Sequence, residues 1–196
     1  MKADIHRLLE LQKLLIAFSD IERVIHRRRG DTFIKENDTE HSYNLAMTAW
    51  FLSQWFPELD KDLLIRYSLI HDLVEVHAGD TFIYGPQSEL DSKKQREADA
   101  LKKLENDWPD FQSLTQGIKT YESHSDAESR FVYALDKVMP IMMIYLNDGY
   151  TWKKESVDVT MLYEAKLEKI KQSPEILPYF EQLYAMLLER PDLIKI

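Results

Sequence analysis

The spacing of apolar residues constrains the fold of this chain more than any other sequence feature. Over most of the length these residues recur every three or four positions, which places them on one face of a helix. The first such stripe, in residues 4–25, contains Leu8, Leu11, Leu15, Phe18, Ile21 and Ile25. Alternating runs typical of strands are scarce, and the chain has only five Gly and seven Pro. The pattern therefore predicts an all-α fold.

Helix-start and helix-stop residues divide the rest of the chain. Residues 26–38 interrupt the helical pattern with three consecutive arginines, which predicts a basic loop. Asn37 and Glu40 then have capping-box spacing, and Asp60 is placed to cap the following helix. Pro140 is expected to kink or divide the helix that contains it. The predicted helices after the loop cover residues 40–55, 60–78, 89–107, 111–121, 125–146, 157–172 and 174–190.

Composition narrows the class of protein. A chain of 196 residues fits one domain, and we expect residues 1–196 to form it. Without Cys there are no disulfides or thiolate metal sites, so any metal ligands are His, Asp or Glu. The net charge of −9 argues against a nucleic-acid polymer as partner. The polar N-terminus and the absence of an 18-residue apolar run predict a cytoplasmic protein without a membrane span.

The segment 71–80, with the sequence HDLVEVHAGD, combines a histidine with three carboxylates. On a continuous helix Glu75 shares a face with His71 and Asp72. Asp80 follows the predicted end of that helix and can face the same side. Burial of such a set without a counter-charge is unfavourable. A bound metal cation would remove this penalty, because imidazole and carboxylate groups are good metal ligands.

Two further polar residues occupy apolar helix faces. His41 lies near the start of one predicted helix, and Asp136 lies in an apolar stretch of another. Helices that converge on a core can bring both residues together with His71 and Asp72. Two imidazoles and two carboxylates suit a divalent cation such as Mn, Co, Fe, Ni, Zn or Mg. We therefore predict one bound divalent metal ion.

These residues stand in three ordered motifs that resemble those of the HD-domain metal-dependent phosphohydrolases. The motifs are ENDTEHS at 36–42, HDLVEVHAGD at 71–80 and SDAESRFVYALDK at 125–137. Their flanks are similar to the branch that contains bacterial 5′-deoxynucleotidases. The resemblance covers about residues 15–146 and implies a single-domain, HD-type helical bundle. In such a bundle the helices at 157–190 would pack on the motif-bearing core.

The resemblance also implies roles for individual residues. The metal ligands would be His41, His71, Asp72 and Asp136. The acidic catalytic pair beside the metal would be Glu75 and Asp80. Arg23 is a weaker candidate for the phosphate-side arginine that precedes the first motif. The family further leads us to expect a homodimer.

The chain departs from the deoxynucleotidase pattern near the substrate site. Members of that branch carry a Trp directly after the phosphate-side Arg, where this chain has Val24, and the usual Lys is missing from residues 81–84. The preference for deoxynucleotides therefore stays open. Relatives with two metals add two histidines between the His-Asp pair and the last Asp. His77 lies off the helical face of His71, and His124 lies near a helix start, so we expect one metal.

Together these features predict a metal-dependent phosphomonoesterase that acts on 5′-(deoxy)nucleoside monophosphates through metal-activated water. Two alternatives stay open. The site could hydrolyse other phosphate esters, such as phosphodiesters or nucleoside triphosphates, or the chain could be a non-catalytic module that senses nucleotides. Glu75 and Asp80 favour catalysis, because a sensor has less need of proton-transfer groups.

Overall fold

The computed structural model describes residues 4–195, so residues 1–3 and 196 of the predicted domain lie outside the described range. Within that range ten α-helices and one β-hairpin form the fold, and no helix is long and apolar enough to span a bilayer. The elements are α1 (Ile5–Ser19), β1 (Glu22–Arg29), β2 (Thr32–Asn37), α2 (Asp38–Leu52), a 3₁₀ helix (Ser53–Trp55), α3 (Lys61–Ile70), α4 (Glu75–Ala78), α5 (Gln87–Asp107), α6 (Gln112–Ser123), α7 (Ala127–Leu146), α8 (Tyr150–Glu155), α9 (Val159–Ile170) and α10 (Leu177–Leu188).

The segment predicted as a basic loop forms a β-hairpin instead. α1 ends at Ser19, and β1 then pairs antiparallel with β2, with Arg29 opposite Thr32. Gly30 and Asp31 form the two-residue turn, in which Gly30 has a φ of +61°. A Gly-Asp pair between strand-forming residues is a hairpin signal, and the prediction overlooked it because of the adjacent arginines. The fold is mostly helical, but the all-α prediction was wrong for this segment.

Several helix starts lie where the sequence predicts them. The side-chain oxygen of Asn37 accepts a hydrogen bond from the backbone amide of Glu40 at 2.9 Å, and Asp60 caps α3. The cap of α7 is Asp126, one residue after the predicted cap. Pro140 lies inside α7 without dividing it, which shows that packing around this helix outweighs the lost backbone hydrogen bond.

The helix predicted for residues 60–78 is interrupted at the His-Asp pair. α3 ends at Ile70, four residues form a turn, and α4 begins at Glu75. The chain leaves α4 through Gly79, whose φ of +76° matches the predicted helix end. The interruption means that His71 and Glu75 do not share one continuous helix. Their side chains meet because the turn redirects the backbone.

The C-terminal part of the chain differs from the prediction in two details. α8 occupies a segment for which no helix was predicted. α10 begins at Leu177 rather than at Pro174, because the Ser173 hydroxyl donates to Glu175 instead of capping the helix. α9 and α10 nevertheless pack on α7, with Leu162 in the same buried cluster.

Two hydrophobic clusters lie on either side of the His-Asp turn. The larger includes Leu45 of α2 and Phe131 of α7, and the smaller includes Leu104 of α5 and Ile118 of α6. All four side chains are fully buried. Ile70 packs against both clusters and immediately precedes the His-Asp pair. The turn is therefore held between two packed bodies of side chains.

Gly149 provides a test of how the C-terminal residues close on the helices. Its φ is +64°, and a Cβ atom there would lie 2.0 Å from the carbonyl oxygen of Leu193. We expect Gly149→Ala to lower the free energy of unfolding by about 3 kcal/mol or more, because a clash adds to backbone strain. Gly30 has a similar φ but open space around it, so the control Gly30→Ala should cost about 1 kcal/mol. Equal losses of unfolding free energy in the two variants, measured by urea denaturation, would contradict this packing of Gly149 against Leu193.

Candidate active site

His41 projects from the first turns of α2 into the protein. The same face of α2 buries Leu45 and Ala49, which sets the rotation of the helix. The His41 side chain is 1% exposed, and its Nε2 lies 2.9 Å from Oδ1 of Asp136 on α7. Two of the predicted metal ligands, from helices far apart in sequence, are thus in direct contact.

His71 and Asp72 lie in the turn between α3 and α4. Nδ1 of His71 donates a hydrogen bond to the carbonyl oxygen of Ser68 at 3.0 Å, since a carbonyl oxygen only accepts. When the ring is neutral, as metal ligation requires, Nε2 is therefore the unprotonated nitrogen. It lies 2.9 Å from Oδ2 of Asp72 and 3.7 Å from Oδ1 of Asp136, is buried, and makes no aligned hydrogen bond. This is the tautomer that a metal-ligating histidine requires.

The four predicted metal ligands converge, and we refer to them as the metal cluster. One ligand atom from each residue lies within 4.8 Å of the others, and the residues are His41, His71, Asp72 and Asp136. The mixture of imidazole and carboxylate groups suits a divalent transition metal. The buried and unpartnered Nε2 of His71 offers such an ion a ligand atom that no protein group satisfies. The donor set therefore fits one divalent metal ion.

Arg23 is held against the metal cluster by β1. Its Nη1 donates hydrogen bonds to Oδ2 of Asp72 at 2.8 Å and to Oδ1 of Asp38 at 3.1 Å. Its Nε lies 3.7 Å from Oε2 of Glu36 on β2. The residue that the sequence marked as the weaker candidate therefore belongs to the site. A strand, rather than the predicted helix, positions it there.

Glu36 and Asp38 are site residues that the sequence analysis missed. They are 2% and 0% exposed, and burial raises the pKa of both carboxyls to about 7. Asp38 also forms a second group with Asp72 and Glu75, in which ligand atoms lie within 4.8 Å of one another. The sequence feature that could have identified them is their position in the first motif, on either side of Asn37. Acidic residues at that position are equally well explained by the start of α2.

The two predicted catalytic carboxyls border the same cavity. Glu75 is 3% exposed, and its Oε2 has no hydrogen-bond partner. Burial, reinforced by the charges of Asp72 and Asp38, raises the pKa of Glu75 well above its usual range. Asp80 follows the turn at Gly79, and burial raises its pKa as well. The structure thus places both groups beside the metal cluster.

The pKa values of the two histidines of the cluster shift in opposite directions. Burial lowers the pKa of His41 to about 4. Burial acts in the same direction on His71, but Asp72 and Asp136 outweigh it and raise the pKa to about 10. The difference indicates that negative potential is concentrated around Nε2 of His71, within the group of converging ligand atoms.

A cavity of about 420 Å³ opens beside the metal cluster, a size in the range of small-molecule sites. One wall carries the polar groups, including Arg23, Asp72, Glu75 and Asp80. Another wall is apolar and includes Val24, Ile141, Ile144, Trp152 and Leu162. The arrangement combines charged groups at one point with apolar surface next to them.

Other polar residues considered in the sequence lie away from the metal cluster. Arg27 and Arg28 pair with carboxylates near the hairpin. His77 contacts Lys103 outside the cavity. His124 borders the cavity, but its Nδ1 lies 2.9 Å from the side-chain oxygen of Gln172. Within residues 4–195 neither histidine joins a group of potential metal ligands.

Comparison with known proteins places this geometry in a family. The profile described as HD domain matches residues 21–177. The chain belongs to the HD domain family. This confirms the resemblance of its motifs to the metal-dependent phosphohydrolases of that family.

Curated relatives of this HD domain chain carry the name 5′-deoxynucleotidase HDDC2. The protein from Homo sapiens is 30% identical over 111 residues, which cover 55% of this chain and 52% of that protein. The protein from Bos taurus is 32% identical over 111 residues, with the same coverage of both chains. The chain thus spans about half the length of the curated relatives it matches.

A solved structure extends the comparison over nearly the whole HD domain chain. It is titled as a predicted metal-dependent phosphohydrolase from Magnetospirillum magnetotacticum and superposes with a TM-score of 0.80 at 26% identity. The alignment covers 98% of this chain and 100% of that chain. The mostly helical fold described above is therefore shared with that structure.

Metal content tests which of the two groups of potential ligands holds the ion. We expect about one equivalent of divalent metal in the wild-type protein. His41→Gln and Asp136→Asn should each lower the metal content at least tenfold, since each removes a ligand atom from a small set. The matched variant Asp38→Asn should keep the metal, because Asp38 belongs only to the second group. Elemental analysis after dialysis measures the content. Retention by His41→Gln with loss by Asp38→Asn would reverse the assignment.

Proposed function

We propose that this HD domain protein is a phosphomonoesterase that hydrolyses 5′-(deoxy)nucleoside monophosphates with one divalent ion in the metal cluster. The observation that carries the proposal is the placement of Glu75 and Asp80 on the cavity that the cluster borders. The names of the curated relatives support a nucleotide substrate. A cytoplasmic location stays a prediction from the sequence.

Each charged group has a different part in the proposed hydrolysis. The guanidinium of Arg23 stabilises charge on the phosphoryl oxygens, for which its planar fork is suited. Glu75 accepts a proton from the attacking water, and Asp80 donates a proton to the leaving oxygen. The bond between the water oxygen and phosphorus forms as the bond between phosphorus and the sugar oxygen breaks. The same bonds form and break if Asp80 is the proton acceptor and Glu75 the proton donor. When bound, a divalent ion supplies Lewis-acid stabilisation and acidifies water.

The apolar side chains that line the cavity favour a nucleoside as the part of the substrate that carries the phosphate. Val24 and Trp152 are among them, and a flat base can pack against such a surface. Val24 directly follows Arg23, so it borders the space next to the phosphate. The small side chain at this position leaves ribose and deoxyribose as competing possibilities. Ribonucleotides and deoxyribonucleotides are therefore both tested as substrates.

The proposal predicts phosphate release from nucleoside 5′-monophosphates in the presence of Mn, Co, Ni or Mg. It also predicts that Glu75→Gln keeps the metal but lowers kcat by roughly 10²–10⁴-fold, because a positioned proton acceptor is lost. Phosphate release is measured on ribo- and deoxynucleotides, diphosphates, triphosphates and a phosphodiester, with metal content determined in parallel.

An exposed carboxylate provides the matched control for this test. Glu164 on α9 is exposed, so Glu164→Gln should retain the wild-type rate. Absence of turnover on every substrate in metal-loaded protein would favour the sensing module instead. Faster hydrolysis of a phosphodiester or a triphosphate would replace the monoesterase assignment. Normal turnover by Glu75→Gln would remove that residue from the mechanism.

We further propose that two copies of the chain associate through α2. Tyr43, Met47, Trp50 and Phe51 follow each other at helical spacing and are 44–61% exposed. An apolar stripe of this kind is typical of an interface. The wild-type protein should sediment with the mass of two chains, and Trp50→Glu should shift it to one. Leu146→Glu, at an apolar residue that is 78% exposed on α7, is the control; a wild-type monomer would refute the dimer.

A further inference from the structure

Lys166 is a buried cation that the proposed hydrolysis does not use. It lies on α9, is 9% exposed and borders the cavity. Among residues 4–195 no carboxylate lies within 4.0 Å of its ammonium group, and no hydrogen bond from it is formed. The ammonium group itself keeps contact with solvent at the cavity, since it is not one of the fully buried polar atoms of the described residues. A group that enters the cavity can supply the missing partner.

Lys166 belongs to a cationic wall of the cavity. Lys169, one turn further along α9, is half-buried and also has no carboxylate within 4.0 Å among the described residues. Lys93 of α5 lies 3.3 Å from Glu97, and Lys137 of α7 lies 2.5 Å from Asp136, so both already have partners. We refer to Lys166 and Lys169 as the α9 lysines. Within residues 4–195 they are the lysines that line the cavity without a carboxylate partner.

Among the described residues, no carboxylate that lines the cavity lies within 4.0 Å of the ammonium group of either α9 lysine. Glu97 is paired with Lys93, and Asp136 is paired with Lys137. Burial, with the neighbouring charge of Lys137, lowers the pKa of Lys166 to about 7, and Asp136 offsets this only in part, so the protonated ammonium group carries a charge without a close partner. A neutral hydrogen-bond acceptor would leave this charge uncompensated. A phosphate or carboxylate group would compensate it and restore the protonated lysine.

Arg23 and the metal cluster meet the needs of one phosphate, so the α9 lysines have room for a second anion. We propose that the α9 lysines bind a second anionic group of the substrate, and that the preferred substrate is a phosphate ester carrying a further phosphate. This inference rests on the proposed phosphatase function. It narrows the substrate class from nucleoside phosphates in general to those that carry a further phosphate, such as a nucleoside 3′,5′-bisphosphate or 5′-diphosphate.

Steady-state kinetics on substrates that differ only in the second phosphate test this inference. The probes are adenosine 5′-monophosphate, adenosine 3′,5′-bisphosphate and adenosine 5′-diphosphate. The wild-type kcat/KM should be about tenfold higher for at least one doubly phosphorylated probe, since hydrogen bonds to charged groups are stronger than those between neutral groups. Lys166→Met should lower that preference about tenfold or more, because Met keeps the bulk of the side chain but removes its charge.

The effect of Lys166→Met is compared with that of an exposed control lysine and of a second variant on α9. Lys171→Met removes an exposed lysine at the end of α9 and should leave the preference unchanged. If Lys166→Met does not fold, Lys169→Met tests the same wall at a half-buried position. Equal kcat/KM for all three probes overturns the inference. So does an equal loss on all probes in Lys166→Met, which would place the scissile phosphate itself on the α9 lysines.

Calorimetric titration separates this inference from the proposed function. If no probe is hydrolysed with any metal, the phosphatase proposal fails. In that case binding of adenosine 3′,5′-bisphosphate that is about tenfold tighter than binding of the monophosphate, and that Lys166→Met abolishes, still supports the second anion site. Equal binding of the two nucleotides by the wild-type protein overturns it.

Discussion

The structure depends on the burial of like charge around one point. Glu36, Asp38, Asp72 and Glu75 are withdrawn from water within contact distance of each other or of Arg23. A single guanidinium cannot offset four carboxylates in a medium of low dielectric constant. Protons and a cation are the remaining sources of positive charge, and the raised pKa values of Glu36, Asp38 and Glu75 show the first of these. The metal cluster supplies ligands for the second.

The break between α3 and α4 makes this concentration of charge possible. Within a continuous helix the His71 ring would lie one turn from Glu75 on the same helix face. The turn instead lets Nδ1 of His71 donate to Ser68, which fixes the ring and leaves Nε2 facing Asp136. The two hydrophobic clusters that meet at Ile70 hold this turn in place. Packing therefore sets the position and the tautomer of a ligand.

The site residues that could be predicted from the sequence are those that lie in short motifs. His71 and Asp72 are adjacent in the chain, so their chemistry could be recognised even though the continuous helix assumed for them was wrong. Glu36 and Asp38 were missed, because acidic residues beside a helix start have an ordinary explanation as caps. Lys166 lies outside all three motifs. Its significance arises only from burial and from the absence of a partner, which the spacing of residues on α9 does not reveal.

Arg23 connects the site to the C-terminal part of the chain, beyond the motifs. The strand β1 that carries it is fixed three residues further along, where the backbone amide of His26 donates to the hydroxyl of Thr151 at 2.9 Å. Thr151 lies in α8, and the turn before α8 contains Gly149, which packs against the backbone of Leu193. A continuous path of contacts thus runs from Leu193, through α8 and the hairpin, to Arg23. The C-terminal segment is in this way part of the framework that positions the charge of the site.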